Sequence, residues 1–241
     1  MRLDVYLTEN KLCKSRAAAQ ELISDGGVLV NGKPALKNSQ DVTEADEITV
    51  NEEKLPKYVG RGGLKLERAL ERWGIDLSGA VCVDIGASTG GFTDCMLQNG
   101  AAKVFAVDVG RDQLDEKLRS DSRVVSLEQT DIRDFMLPET PADFIGTDVS
   151  FISLKLVLPH VYRLLKSGGT AVALIKPQFE AGRENLNKNG IVRSESARQK
   201  CVKDIEEFAT RCGFKHIGTE QSPIKGGDGN IEFLLAIKKH Q

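Results

Sequence analysis

Residues 81–94 read Val-Cys-Val-Asp-Ile-Gly-Ala-Ser-Thr-Gly-Gly-Phe-Thr-Asp, and no other stretch narrows the fold as far. A short β-branched run reaches Asp84 and Ile85, and the chain then turns through Gly86, Gly90 and Gly91. An amphipathic helix opens behind the turn with Phe92, Cys95, Met96 and Leu97. Strand, glycine turn and helix N-terminus together let a ligand press against bare backbone. The spacing is not that of a dinucleotide fingerprint: after Gly86 the next glycines are Gly90 and Gly91, so Gly-x-Gly-x-x-Gly fails. An acid two residues before the first glycine repels a pyrophosphate and suits a cationic or amine-bearing ligand. The plainer alternative is a turn that uses glycine only for close packing of helix on strand.

Strands and helices alternate after this motif. Lys103–Val107, Arg123–Leu127, Ala142–Thr147 and Thr170–Ile175 read as strands, with helices over Asp112–Arg119, Ser153–Lys166 and Ser194–Arg211. A helix over Arg61–Trp73 precedes them, its apolar stripe made of Leu66, Ala69, Leu70 and Trp73 and flanked by Lys65. The alternation predicts an α/β fold with a doubly wound parallel sheet. Lys215–Thr219 and Ile231–Ile237 follow as two strands with no helix between them, so they pair antiparallel. A Rossmann-like parallel sheet closed by an antiparallel last strand is the habit of S-adenosylmethionine-dependent methyltransferases. That cofactor carries both a sulfonium and an ammonium, in keeping with the acid at the turn.

The strand ends carry the candidate ligands. Asp84, Gly86, Ser88, Gly90 and Gly91 form the turn. Asp108 closes the second strand, where an acid can take both hydroxyls of a ribose. Asp131, past the third, is placed for an adenine amino group. Taken singly, Asp108 and Asp131 are also compatible with solvated acids. Three acids at successive strand ends point to a nucleoside ligand. Asp148 follows the fourth strand, Lys176 ends the fifth, and Glu232 lies near the start of the last. Strand carboxyl ends face one crevice, so Asp148 and Lys176 are expected to meet the ligand. Lys176 interrupts an apolar run, and a buried lysine is costly unless paired. A purely structural Lys176–Asp148 ion pair is the alternative.

Residues 1–50 read as a separate small α+β module. Arg2–Leu7 starts a helix, Ser15 caps a second over Arg16–Ile23, and Gly26-Gly27 ends it. Val28-Leu-Val-Asn31-Gly32-Lys33 is a strand with a hairpin turn, and Glu47–Val50 supplies a second strand. The formal charge of the whole chain is −2, so any grip on nucleic acid must come from a local patch. Residues 1–40 carry six bases against four acids, and residues 41–60 two against six. That asymmetry fits a basic face with an acidic far side, or scattered solvated lysines. Residues 51–60 are polar, hold one proline and read as a linker, leaving 61–241 for the larger domain.

Two resemblances sharpen these readings. Arg2-Leu-Asp4, Lys14-Ser15-Arg16, Ala19, Ile23, Gly26 and Val28-x-Val30-Asn31-Gly32 resemble the alpha-L RNA-binding module of a ribosomal protein, pseudouridine synthases and tyrosyl-tRNA synthetase. The resemblance implies binding of structured RNA by shape and phosphate contacts, with Arg2, Lys14, Arg16 and Lys33 as candidates. Lys65, Asp148, Lys176 and Glu232, in this order, resemble the Lys-Asp-Lys-Glu tetrad of FtsJ-like 2′-O-ribose methyltransferases. Asp84-Ile-Gly-Ala-Ser-Thr-Gly-Gly-Phe-Thr is similar to their glycine motif, although Ser88-Thr89 stands where FtsJ itself has Ala-Pro.

Over its whole length the chain resembles the TlyA family, known both as haemolysins and as ribosomal RNA methyltransferases acting on cytidine ribose. The resemblance implies S-adenosylmethionine as cofactor and ribosomal RNA or a ribosomal subunit as partner. Lys176 would act as the base, which asks for a neutral amine; burial and a neighbouring Lys65 ammonium favour that form. Asp148 and Glu232 would orient the lysines. Arg61 and, in the polar loop after Lys176, Arg183 are added as candidate RNA contacts.

Other classes find less support. Asp148-Val-Ser-Phe151 has the length of the Asn/Asp-Pro-Pro-aromatic motif of base N-methyltransferases but lacks both prolines. A membrane-lytic haemolysin would need a spanning or surface-active segment, and runs such as Ala171–Ile175 fall far short of the roughly 18 apolar residues required. An odd set of five cysteines without Cys-x-x-Cys spacing, and three scattered histidines, argue against disulfides and metal. Without an export signal at Met1-Arg-Leu-Asp4, a cytoplasmic protein is expected.

Overall fold

The glycine turn lies between β4 (Val81–Ile85) and α4 (Gly91–Gln98), at the centre of the larger of two compact units, Met1–Lys57 and Tyr58–Gln241. The computed structural model describes residues 1–240 except Lys14, Ser15, Glu52, Glu53 and Glu139, and the side chains of Ala17 and Glu21 also stand outside the description. The expected cap at Ser15 and RNA contact at Lys14 therefore lie outside the described residues. Residues 51–60, expected as a linker, divide between the units: Asn51 N donates to Gly27 O, whereas Tyr58 is buried among residues of the second unit.

In the first unit α1 (Leu3–Glu9) and α2 (Arg16–Ser24) pack beside a small antiparallel sheet of β1 (Val28–Val30), β2 (Lys33–Pro34) and β3 (Ile48–Val50), in the order β2-β1-β3. Asn31 and Gly32 both take positive φ, 52° and 73°, the geometry of a type I′ hairpin. Leu3, Leu7, Ala19, Leu22, Ile23 and Val28 make the core. Arg2, expected in the first helix, instead bridges Asp41. Asp4 is fully buried and accepts from Arg2 Nε (3.0 Å), Arg16 Nη2 (3.1 Å) and Gln20 Nε2 (2.8 Å). These donors, Arg2 first, hold its carboxyl far below the usual range.

In the second unit the described strands form a seven-stranded sheet in the order β6-β5-β4-β7-β8-β10-β9. β5 (Lys103–Val107), β6 (Val124–Leu127), β7 (Ala142–Thr147) and β8 (Leu165–Ile175) run parallel with β4. β10 (Phe233–Lys239) inserts antiparallel between β8 and β9 (Phe214–Gln221). The strands are apolar along their length because both faces are covered. One core takes in Val83, Ile145, Leu158 and Ile205 beneath α6 (Leu154–Leu164) and α8 (Glu195–Arg211). The other takes in Cys82, Cys95, Phe144 and Leu66 beneath α3 (Gly62–Trp73) and α4.

Three expected elements are corrected, the first being the helix over Ser153–Lys166, which stops at Leu164 because Leu165 and Lys166 begin β8. The helix expected over Asp112–Arg119 is only α5 (Glu116–Arg119). Asp115 caps it through Lys117 N, and the amides of Asp112, Gln113 and Leu114 donate to Glu128 instead of forming a turn. The polar loop after Lys176 is partly ordered into α7 (Pro177–Glu180), a 3-10 turn over Arg183–Asn185 and a bridge between Leu186 and Val192.

Candidate active site

The turn at 86–91 is built by glycine where nothing larger fits. Gly86 has φ +81°, and a Cβ there would lie 2.8 Å from the carbonyl oxygen of Asp148. A Cβ on Gly91 would meet Gly60 O and Gly63 N, each at 2.9 Å. The strand ends and the segment 60–62 thus close on the turn to within a bare backbone. They enclose a pocket of about 210 Å³ lined by Asp84, Ser88, Asp148, Ser150 and Lys176 among others. A second cavity of about 440 Å³ shares Gly86, Ser88, Asp148 and Ser150 with it. That cavity continues past Asp108, Val109, Asp131, Ile132 and Phe151.

Asp84 is fully buried and its Oδ2 accepts from Thr93 N (2.9 Å) and Thr93 Oγ1 (2.7 Å), while Oδ1 has no partner. Burial pushes its carboxyl up to about 7, the Thr93 bonds pull back, and the charges of Asp148 and Asp108 add to the rise. An unpartnered buried acceptor on a pocket wall is what a ligand ammonium needs. Asp108 accepts from Ser88 N and Gly110 N, both at 2.7 Å, with lone pairs left for further donors. Asp131 lines the same cavity, but Arg133 engages its carboxylate through Nε (2.9 Å) and pulls its pKa down to about 2. The donor set fits a cationic nucleoside: acid at the turn, acid at the ribose position, apolar walls beyond.

From the pocket wall into the interior four side chains alternate in charge. Lys176 Nζ lies 2.7 Å from Asp148 Oδ1 and donates to Ser150 Oγ (2.8 Å). Lys65 Nζ lies 3.6 Å from Asp148 Oδ2 and 2.8 Å from Glu232 Oε2. The two ammonium groups do not face each other, because the Asp148 carboxylate stands between them. Lys65 is buried, not a flank of the α3 stripe as its spacing predicts: the first turn of α3 aims it at the start of β10. Glu232 is 3% exposed and precedes β10 by one residue.

The remaining candidates are basic residues. In the first unit the side chains of Arg2 and Arg16 are 47% and 56% exposed around Asp4, and Lys33 is exposed on β2. Arg61 is exposed and lines the smaller pocket, and Arg183 is exposed at the start of its 3-10 turn. Spacing missed Ser150 and Glu180, and placed Phe151 only in a motif of base N-methyltransferases. Ser150 holds Lys176; Phe151, 92% exposed at φ +63°, packs its ring against Phe179 at 5.2 Å; Glu180 spans two turns. The available signal was an aromatic three residues after a catalytic-type acid. Among the described residues no three His, Cys, Asp or Glu gather as a metal-ligand set, and no helix is long and apolar enough to cross a membrane.

The FtsJ-like methyltransferase model matches residues 58–239, and the S4 domain model matches residues 1–48. The chain belongs to the FtsJ-like methyltransferase family. Within that family its relatives are of the TlyA kind. It is 39% identical to the 16S/23S rRNA (cytidine-2′-O)-methyltransferase TlyA of Mycobacterium tuberculosis, over 98% of this chain and 89% of that one. It is 44% identical to Hemolysin A of Brachyspira hyodysenteriae, over 97% of this chain and 98% of that one. A solved structure from Streptococcus thermophilus, 45% identical, superposes with a TM-score of 0.79 over 100% of this chain and 89% of that one. The match to FtsJ-like methyltransferases thus covers all but the last two residues of the unit that carries the pocket and the four charged side chains.

Proposed function

We propose that this protein methylates the 2′-hydroxyl of a ribose, that of a cytidine, in ribosomal RNA. The observation that carries the reading is the alternating row Lys176–Asp148–Lys65–Glu232, which runs inward from the wall of the glycine-turn pocket. When bound, S-adenosylmethionine supplies a methyl group made electrophilic by its sulfonium. Asp84 would hold the ammonium of that cofactor and Asp108 its ribose hydroxyls. Lys176, at the pocket end of the row, would take the hydroxyl proton in its free-amine form while the hydroxyl oxygen bonds the methyl carbon and the carbon–sulfur bond breaks, leaving a neutral thioether. Asp148 and Ser150 would fix the amine, and Lys65, itself held by Glu232, would fix Asp148 from behind. Positioning of this kind supplies about 7–11 kcal/mol, and a general base about 10²–10⁴-fold.

Exposed Phe151, packed on half-buried Phe179 beside Lys176, offers a ring face to an unstacked base. Arg2, Arg16 and Lys33 of the S4-type unit would contact phosphates of structured RNA, with Arg61 and Arg183 serving the methyltransferase unit. The test is transfer of labelled methyl from S-adenosylmethionine to ribosomal RNA, or to subunits, from cells lacking the protein. Label is expected in a cytidine nucleoside on the ribose oxygen. Label on a base would sink the reading in favour of N-methylation.

Asp84 makes cofactor binding depend on pH. Its folded value, about 7, stands above the ordinary 3.8, so burial favours the protonated form and stability from this group is lost as pH rises from about 4 to about 7. An ammonium needs the carboxylate. Affinity for S-adenosylmethionine, measured by calorimetry, is therefore expected to fall by up to about tenfold per pH unit below about 7 and to level off above it. Asp84→Asn should remove that dependence and weaken binding at every pH. An unchanged pH profile in the variant would take Asp84 out of cofactor recognition.

A further inference from the structure

Lys176 and Asp148 leave neighbouring strands, but the β7–β8 pairing registers no residue beyond Thr147 and Ala173, so it does not extend to either side chain. Their separation depends on the two turns that follow, 148–153 and 176–181. Glu180 joins these turns. Its Oε2 accepts from Ser153 Oγ at 2.6 Å and its Oε1 from Leu154 N at 2.7 Å. Ser153 is the cap of α6 and accepts from Lys155 N, so the carboxylate rests on the positive end of an eleven-residue helix. On its own side Glu180 is tied to Lys176 by the single turn of α7, where Phe179 N donates to Lys176 O at 2.9 Å.

The turn held in this way is strained. Phe151 has φ +63°, an outlier for a bulky residue, and such a conformation persists only where its surroundings over-determine it. Ser150, one residue before it, donates nothing to Glu180 but receives Lys176 Nζ. The clamp therefore spans every group at the outer lip: Asp148, Ser150 and Phe151 on one turn, Lys176 and Phe179 on the other. Burial pushes the Glu180 carboxyl up, against the two hydrogen bonds that pull it down.

We infer that Glu180 is a positioning residue: through Ser153 and the N-terminus of α6 it sets the distance between the Asp148 turn and the Lys176 turn, and with it the geometry of methyl transfer. The inference rests on the proposed function, and its test is built to separate the two. Full-length wild type, Glu180→Ala, Glu180→Gln and Ser153→Ala are compared for S-adenosylmethionine affinity, urea unfolding, and kcat and KM on ribosomal RNA. Glu180→Ala is expected to lower kcat by about tenfold to a hundredfold, with cofactor affinity within about twofold. Glu180→Gln should recover most of the rate, because its amide oxygen still accepts from Leu154 N and the Ser153 hydroxyl can turn to accept from the amide. Ser153→Ala should fall between them.

A fluorine label on Phe151 reports the same geometry without substrate: its NMR line should shift in Glu180→Ala and return in Glu180→Gln. An unmoved line, or a glutamine variant as damaged as alanine, overturns the inference. A kcat loss matched by equal losses of cofactor affinity and stability also overturns it. Should wild type fail to methylate RNA, the proposed function falls, and the fluorine line alone decides for or against the clamp.

Discussion

Replacing Lys176 with alanine is expected to stop methyl transfer and leave S-adenosylmethionine bound. The loss should be about 10²–10⁴-fold in kcat, the range of a general base. Binding survives because the groups assigned to the cofactor, Asp84 and Asp108, make their hydrogen bonds to Thr93, Ser88 and Gly110 rather than to Lys176. Folding survives because Asp148 keeps Lys65 as a partner when Lys176 is removed. Lys176→Arg is the sharper variant. A guanidinium preserves the charge opposite Asp148 but does not give up its proton, so it restores the ion pair without the chemistry. Calorimetry for the cofactor and a methyl-incorporation assay decide between the roles. Turnover by either variant at the wild-type rate removes Lys176 from proton transfer, and arginine rescue alone would make it a structural ion pair.

The parts of the fold that repeat at strand or helix period could be read before any coordinates. The strands over Lys103–Val107 and Ala142–Thr147 end where expected, because each is an apolar run buried on both faces. The Asn31-Gly32 hairpin was legible because its turn demands positive φ at both positions. Lys65 was harder. Helical spacing places it beside the α3 stripe, but its burial is decided by a carboxylate 167 residues away, which local periodicity does not carry. Nor does spacing show that Asp148 would stand between the lysines and not behind them. Glu180 is one more acid in a polar stretch until the start of α6 comes to rest on it. Asp131 is a strand-end acid by position, yet Arg133, two residues on, takes its oxygens first. Pairings across the sheet's edge decide the site, and they follow from topology.

The deepest pair gives the second large effect. Lys65→Ala should destabilise the methyltransferase unit by about 3–5 kcal/mol, because it strands the Glu232 carboxylate, 3% exposed, without its ammonium 2.8 Å away. Glu232→Gln should cost less, since the amide oxygen still accepts from Lys65. The informative variant removes both charges. Replacing Lys65 with methionine and Glu232 with leucine exchanges a buried ion pair for apolar contacts, and such exchanges are often neutral or stabilising by about 1–4 kcal/mol. Urea unfolding of the double variant should therefore return to wild type or exceed it, while methyl transfer stays lost. A pair retained against its own cost in stability is retained for what it does to Asp148, which Lys65 reaches at 3.6 Å. If the double variant were as unstable as Lys65→Ala, the pair would be part of the core's support. If it were stable and active, neither residue would belong to the mechanism.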